Sequence, residues 1–161
     1  MPILARLFLA FILLLPLAPA MAQQQQSQAV HSFAHQGVKE DGGRYEAYLK
    51  ANWKLSTRNA AEQRRDGERM LRTDPRAASR LFAGAVVADG RDADAWIGLA
   101  RALLAIAPDP NKDSERYDLP VNASGAAYLG YERAQGDPQK ARALAVLGDA
   151  LQRRSYWRPA I

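Results

Sequence analysis

The chain has 161 residues, 48% of them hydrophobic, with no cysteine and a formal net charge of +5. The missing cysteines exclude disulfides, thiolate metal sites and a lipid-modified cysteine, so the fold must be held by its core. Arginine alternates with aspartate and glutamate, as in "AEQRRDGERMLRTDPR". That mixture describes a solvated helix face and argues against a nucleic-acid surface, which wants clustered charge of one sign.

"MPILARLFLAFILLLPLAPAMA" carries Arg6, an apolar run from Leu7 to Leu17, and a small-x-small close at Ala20-Met21-Ala22. This is the pattern of a signal peptide over residues 1–22, with cleavage after Ala22 or, alternatively, after Ala20. The apolar run is short for a bilayer span, so a retained anchor is the weaker reading. Removal of Arg6 leaves a net charge of about +4 on about 139 residues, enough for one domain with a real core. The expected destination is outside the cytoplasm, periplasmic or secreted. The membrane is met only through the signal peptide before cleavage.

Residues 23–56 are predicted to start with a disordered Gln-rich stretch and continue into N-terminal helices. Val30, Phe33, Ala34 and Val38 share a helical face; "EDGGR" interrupts it at Gly42-Gly43, and Tyr45, Tyr48, Leu49 and Trp53 resume it. The reading is one broken helix or two short ones.

From residue 57 to 161 the signals describe a helical domain. Thr57 or Asn59 caps a helix through "AAEQRRDGERML". Asp74-Pro75 starts the next, ending near Ala88, and Asp92 caps one running to about Ile106. "APDPNKDSERYDLP" reads as a proline-rich loop, followed by a helix from about Asn122, where Asn122 itself suits a cap, to Ala134. Pro138 begins a helix to Arg153, and a last one opens near Tyr156.

The alternation of helix, turn and helix invites a search for a period. Ala78, Phe82 and Ala85 on one helix and Trp96, Leu99, Ala100 and Leu103 on the next stand at the spacing of the second and following first helix of a tetratricopeptide repeat, with the required 18 residues from Ala78 to Trp96. Small residues let helices approach and large ones fill the groove between pairs. A further unit is expected at Ala126, then Leu144, Leu147, Gly148 and Leu151, then Ala160. Trp96 to Leu144 spans 48 residues rather than 34, and the loop at 107–121 accounts for the excess. Gly130 stands where a bulky aromatic is usual, and a unit before Ala78 is degenerate, with Glu62 and Asp66 at its anchor positions. The fold expectation is all-α: antiparallel helical hairpins stacked as a short tetratricopeptide-like right-handed solenoid. The alternative is a non-repeating bundle with alanine-rich interfaces.

No constellation carries chemistry. His31 and His35 are four apart but lack a third ligand; Ser114, Ser124 and Ser155 lack a placed base. "NAS" at 122–124 matches a glycosylation acceptor only weakly. Tyr45, Tyr48, Trp53, Tyr156 and Trp157 could form an aromatic binding face, but their helical spacing favours packing. No catalytic, cofactor or metal residue is assigned.

"DADAWIGLARALLAI", "NASGAAYLGYERA" and "KARALAVLGDALQRRSYWRPAI", with "AAYLGYERA" and "SYWRPA" as the closest-looking pieces, resemble the N-terminal region of bacterial alpha-2-macroglobulin-like proteins over about residues 60–161. The resemblance implies a helical region at the front of a long exported protein, with macroglobulin β-sandwich domains behind it. Many members carry a Cys-Gly-Glu-Gln thioester that traps proteases, working beside a penicillin-binding protein. With no cysteine here, that machinery maps onto no residue of this chain. "RRSYWRPAI" opens a helix of about a turn and a half, which suggests the N-terminal piece of a longer protein or a truncated reading frame. The expected role is a non-enzymatic scaffold or protein-interaction module whose partner is a protein, a peptide or the downstream domains of the same protein. The alternative is a self-contained periplasmic tetratricopeptide adaptor that binds a peptide or a helix.

Overall fold

A computed structural model describes residues 37–156, with side chains to Arg154. The signal-peptide residues, His31, His35, Trp157 and Ala160 lie outside the described residues. Those described form six helices and no strand: α1 (Val38–Asn52), α2 (Ala60–Met70), α3 (Pro75–Ala88), α4 (Ala93–Ala105), α5 (Asp113–Arg133) and α6 (Asp137–Tyr156). None is long and apolar enough to cross a membrane.

Local chemistry starts the middle helices. Asn59, Asp74 and Asp92 each accept a backbone N–H three residues on, from Glu62, Ala77 and Ala95, at 2.8–3.0 Å. Each bond satisfies one of the amide donors that a helix start leaves free. Pro75 occupies the first turn of α3, where its missing N–H costs nothing.

Consecutive helices from α2 to α6 pack against one another, α2 also meets α4, and α4 meets α6. α1 lies mainly against α5. The core centres on α3 and α4, with Phe82, Trp96 and Leu99 at most 1% exposed. Phe82 fits between two glycines on flanking helices. A Cβ on Gly67 of α2 would come within 3.0 Å of its ring, and one on Gly98 of α4 within 2.3 Å. The indole of Trp96 donates Nε1–H to the Gly90 carbonyl at 3.0 Å, which satisfies its only donor in a dry site.

Four local expectations differ from the structure. α6 continues past Arg153 to Tyr156, where the sequence predicts that a separate last helix opens. α1 runs unbroken through Gly42-Gly43, because Gly42 lies against Gly125 of α5 where a side chain would intrude. α5 begins at Asp113 rather than near Asn122, and it carries Pro120 and Asn122 in its interior. Proline there removes one backbone hydrogen bond. The helix start is held instead by a long-range anchor: Glu115 receives Arg76 of α3 at 2.6 Å and the Asp109 N–H at 3.0 Å, while Arg76 also donates to the Ala107 carbonyl at 3.2 Å. On α6 the fully buried stripe is Ala143, Leu147 and Ala150. Leu144 and Leu151 are half-buried. Gly148 is exposed, and a Cβ there would meet nothing within 4 Å among the described residues.

Candidate functional site

The other positions expected to pack between repeats, Ala78, Phe82, Ala85, Trp96, Leu99, Ala100, Leu103 and Ala126, are all buried. They build the framework and offer no reacting group to solvent. What they position is one open face formed by α2, α4 and α6.

Three ion pairs register that face. Arg64 of α2 lies 2.9 Å from Asp92 at the start of α4, Glu68 of α2 lies 3.5 Å from Arg101 of α4, and Asp94 of α4 lies 2.9 Å from Arg142 of α6. Partial burial pushes the Asp94 carboxyl upward, but hydrogen bonds from Arg142 and Gln139 outweigh it and hold the group below the ordinary aspartate value. Such exposed pairs contribute little stability each. Their role is alignment of the three helices.

A cleft of about 480 Å³ opens on this face. Its α4 wall is Arg101, Leu104 and Ala105, and its α6 wall is Val146, Asp149 and Arg153. Residues three, four or seven apart share one side of a helix, so each wall is a single stripe. Leu71, Arg72 and Pro75 close the end at the α2–α3 turn. Arg153 donates Nη1–H to the Leu104 carbonyl at 2.5 Å and so caps one of the free carbonyls ending α4. Leu104 and Arg153 also line a second, mostly apolar cavity of about 270 Å³, with Leu103, Ile106, Leu119 and Pro120 around it.

A third cleft, of about 430 Å³, lies between α1 and the first half of α5. Asp41 at its wall is 3% exposed and sits 2.5 Å from both Arg44 and Arg154 of α6. The rings of Tyr45 and Tyr48 stack at 6.5 Å, 10° from parallel. Tyr45 is buried, which pushes its hydroxyl well above the ordinary tyrosine value, with Tyr48 adding to the shift. Tyr48 is 58% exposed and Trp53 is half-buried, so the expected aromatic set divides between core and surface, with Tyr156 and Trp157 outside the described side chains.

The remaining titratable groups with altered acidity are engaged by neighbours. Partial burial raises Glu46, but Lys50 and Arg133 together bring it below the ordinary glutamate value. Arg133 also lies 5.0 Å above the Trp96 ring, so one guanidinium joins α1, α4 and α5. Burial and a hydrogen bond to Glu132 push the Tyr128 hydroxyl up to about 12. Ser124 is buried and donates to the Val121 carbonyl at 2.8 Å, a bond internal to α5. Among the described residues no group of three or more His, Asp or Glu side chains could hold a metal ion.

Sequence reasoning did not single out Arg72, Arg101, Arg153 or the Asp41–Arg154 pair. Each arginine reads locally as ordinary surface; the packing of the α2–α3 turn, α4 and α6 brings Arg72, Arg101 and Arg153 to one cleft, while Arg154 pairs with Asp41 beside another. Compared with models of known families, with curated proteins and with solved structures, the chain matches none.

Proposed function

We propose that this chain is a non-enzymatic, exported helical module that docks a segment of another protein on its α2–α4–α6 face. The cleft between α4 and α6 carries this reading. It has apolar walls at Leu104 and Val146, polar groups at its rim, and helices already held in register by ion pairs. Sites of this kind, concave and largely pre-formed, favour binding without a large ordering cost. The meeting of α2 with α4 and of α4 with α6, each across an intervening helix, supports tetratricopeptide-like stacking of α2–α6, in which these three helices would line one surface.

The wider setting we propose is the leading helical region of an alpha-2-macroglobulin-like envelope protein. It rests on the strings "AAYLGYERA" and "SYWRPA" and on the N-terminal export signal. Its partner would be another protein or later domains of the same one. A reading frame that continues past Ile161 into strand-rich sequence supports this setting, and a stop followed by an unrelated gene removes it.

The docking face is tested by placing a photo-crosslinking side chain at Ala105, an exposed residue of the cleft wall, and separately at Ala51, exposed on α1. The expected result in the native compartment is a discrete protein adduct from position 105 that Val146→Glu abolishes, with none from position 51. Equal adducts from both positions, or none from 105, would overturn the reading.

A further inference from the structure

We infer that the segment received on this face is acidic and amphipathic: carboxylates on either side of a large apolar side chain. This rests on the docking face proposed above and specifies its partner. Arg72, Arg101 and Arg153 converge on the 480 Å³ cleft, against a single lining carboxylate, Asp149. Among the described residues Arg72 has no ion-pair partner, and Arg101 reaches Glu68 only at 3.5 Å with both side chains over 40% exposed. The Arg72 guanidinium is therefore open to a forked contact with a carboxylate, and Arg101, held only by a long pair to Glu68, can share its fork with one. Arg153 fixes one nitrogen on the Leu104 carbonyl at 2.5 Å, which holds its fork in place.

The apolar part of the partner follows from the second cavity. It shares Leu104 and Arg153 with the first, so the two are neighbours with that bonded pair between them. Its 270 Å³, lined by Leu103, Ile106, Leu119 and Pro120 with Arg116 and Arg153 at its wall, has room for one large apolar side chain. Cleft and cavity together therefore ask for charge in one place and grease in the next. A nucleic-acid backbone would satisfy the arginines but leave Leu104, Val146 and the second cavity without a partner. A polypeptide with acidic and apolar side chains satisfies all of them.

The test is selection of a random dodecapeptide phage library on the purified chain, followed by titration of the enriched peptides. Enriched peptides should carry at least two Asp or Glu residues around a Leu, Ile or Phe. Their binding should weaken roughly tenfold or more in the Arg72→Glu/Arg101→Glu double variant and fall steeply with salt. Both arginines are exposed, and an unchanged helical melting curve verifies that the variant is folded. Enrichment of neutral peptides that bind the double variant equally overturns the acidic assignment and leaves the docking face standing. No enrichment at all overturns the docking face with it. Retention of a random oligonucleotide by the same two arginines, or a dimer in sedimentation that the double variant dissolves, overturns the assignment in favour of a phosphate backbone or a second copy.

Discussion

Gly125 of α5 and Gly42 of α1 meet backbone to backbone: a Cβ on Gly125 would lie 2.9 Å from the Gly42 amide nitrogen and 3.0 Å from its Cα. Neither the nitrogen nor the Cα can yield as a side-chain tip would, so any larger residue at 125 must push the two helices apart. Gly125→Ala is expected to destabilise by roughly 1–3 kcal/mol, the usual cost of overpacking. Gly43, one residue along, has nothing within 4 Å of a Cβ. Gly43→Ala should therefore stabilise by about 0.5–1 kcal/mol through helix propensity alone. Chemical denaturation of the two variants gives opposite signs if the crossing is as described; a Gly125→Ala variant as stable as the parent contradicts it.

Trp96 is the largest fully buried side chain, 1% exposed, with its indole N–H on the Gly90 carbonyl and the Arg133 guanidinium 5.0 Å above its ring. Trp96→Ala removes the side chain, its hydrogen bond and the seat of Arg133 together. The expected loss is roughly 3–5 kcal/mol. Trp96→Phe keeps most of the volume and leaves the Gly90 carbonyl without its donor, for a loss of about 1–3 kcal/mol. Thermal melts of both variants read the difference, and an unchanged midpoint for Trp96→Ala would show that the indole is not the anchor.

These two residues mark where the sequence was readable and where it was not. Trp96 and Phe82 belong to neighbouring helices with a short turn between them, and both are buried. The caps at Asn59, Asp74 and Asp92 are local and equally legible. Gly42 reads as a helix breaker because intrinsic propensity is all that a local window contains; its reason for being glycine is Gly125, 83 positions away. The start of α5 reads as loop because Pro110 and Pro120 dominate the window, whereas Arg76 and Glu115, 39 residues apart, fix it as helix. The stripe on α6 slipped for a related reason. In "KARALAVLGDALQ" alanine and leucine occur at several helical phases, so apolar spacing alone cannot choose Ala143, Leu147 and Ala150. The cleft arginines were hidden by the same limit, since no local feature separates a guanidinium in a groove from one in open solvent.

Asp41 is a buried carboxylate that ties the first described helix to the last, with Arg44 and Arg154 each at 2.5 Å. Asp41→Asn keeps the shape and removes the charge. The Arg154 guanidinium, with its side chain 27% exposed, then loses its ionic partner in a partly dry site. A loss of roughly 2 kcal/mol is expected. Hydrogen exchange should locate it, with faster opening at α1 and at the end of α6 and little change in α3. Uniform loosening of all six helices would mean that the pair is not a local clasp.

Glu115 supplies a pH dependence whose sign follows from its partners. The hydrogen bond from Arg76, then that from the Asp109 N–H, hold its carboxyl down to about 2, against an ordinary value of 4.5. A carboxylate depressed in the folded state contributes stability that is fully present above the unfolded value and is lost as pH falls toward the folded one. The α4–α5 connection should therefore be firm at pH 6 and loosen between about pH 4.5 and 2. Carbon-detected NMR of the Glu115 carboxyl reads the titration directly. In Arg76→Ala its midpoint should return toward the ordinary glutamate range, and the amide signals of Ala107 to Glu115 should shift even at neutral pH. A midpoint near 4.5 in the parent chain would show that the Arg76–Glu115 pair does not persist in solution and that α5 starts at residue 113 for some other reason.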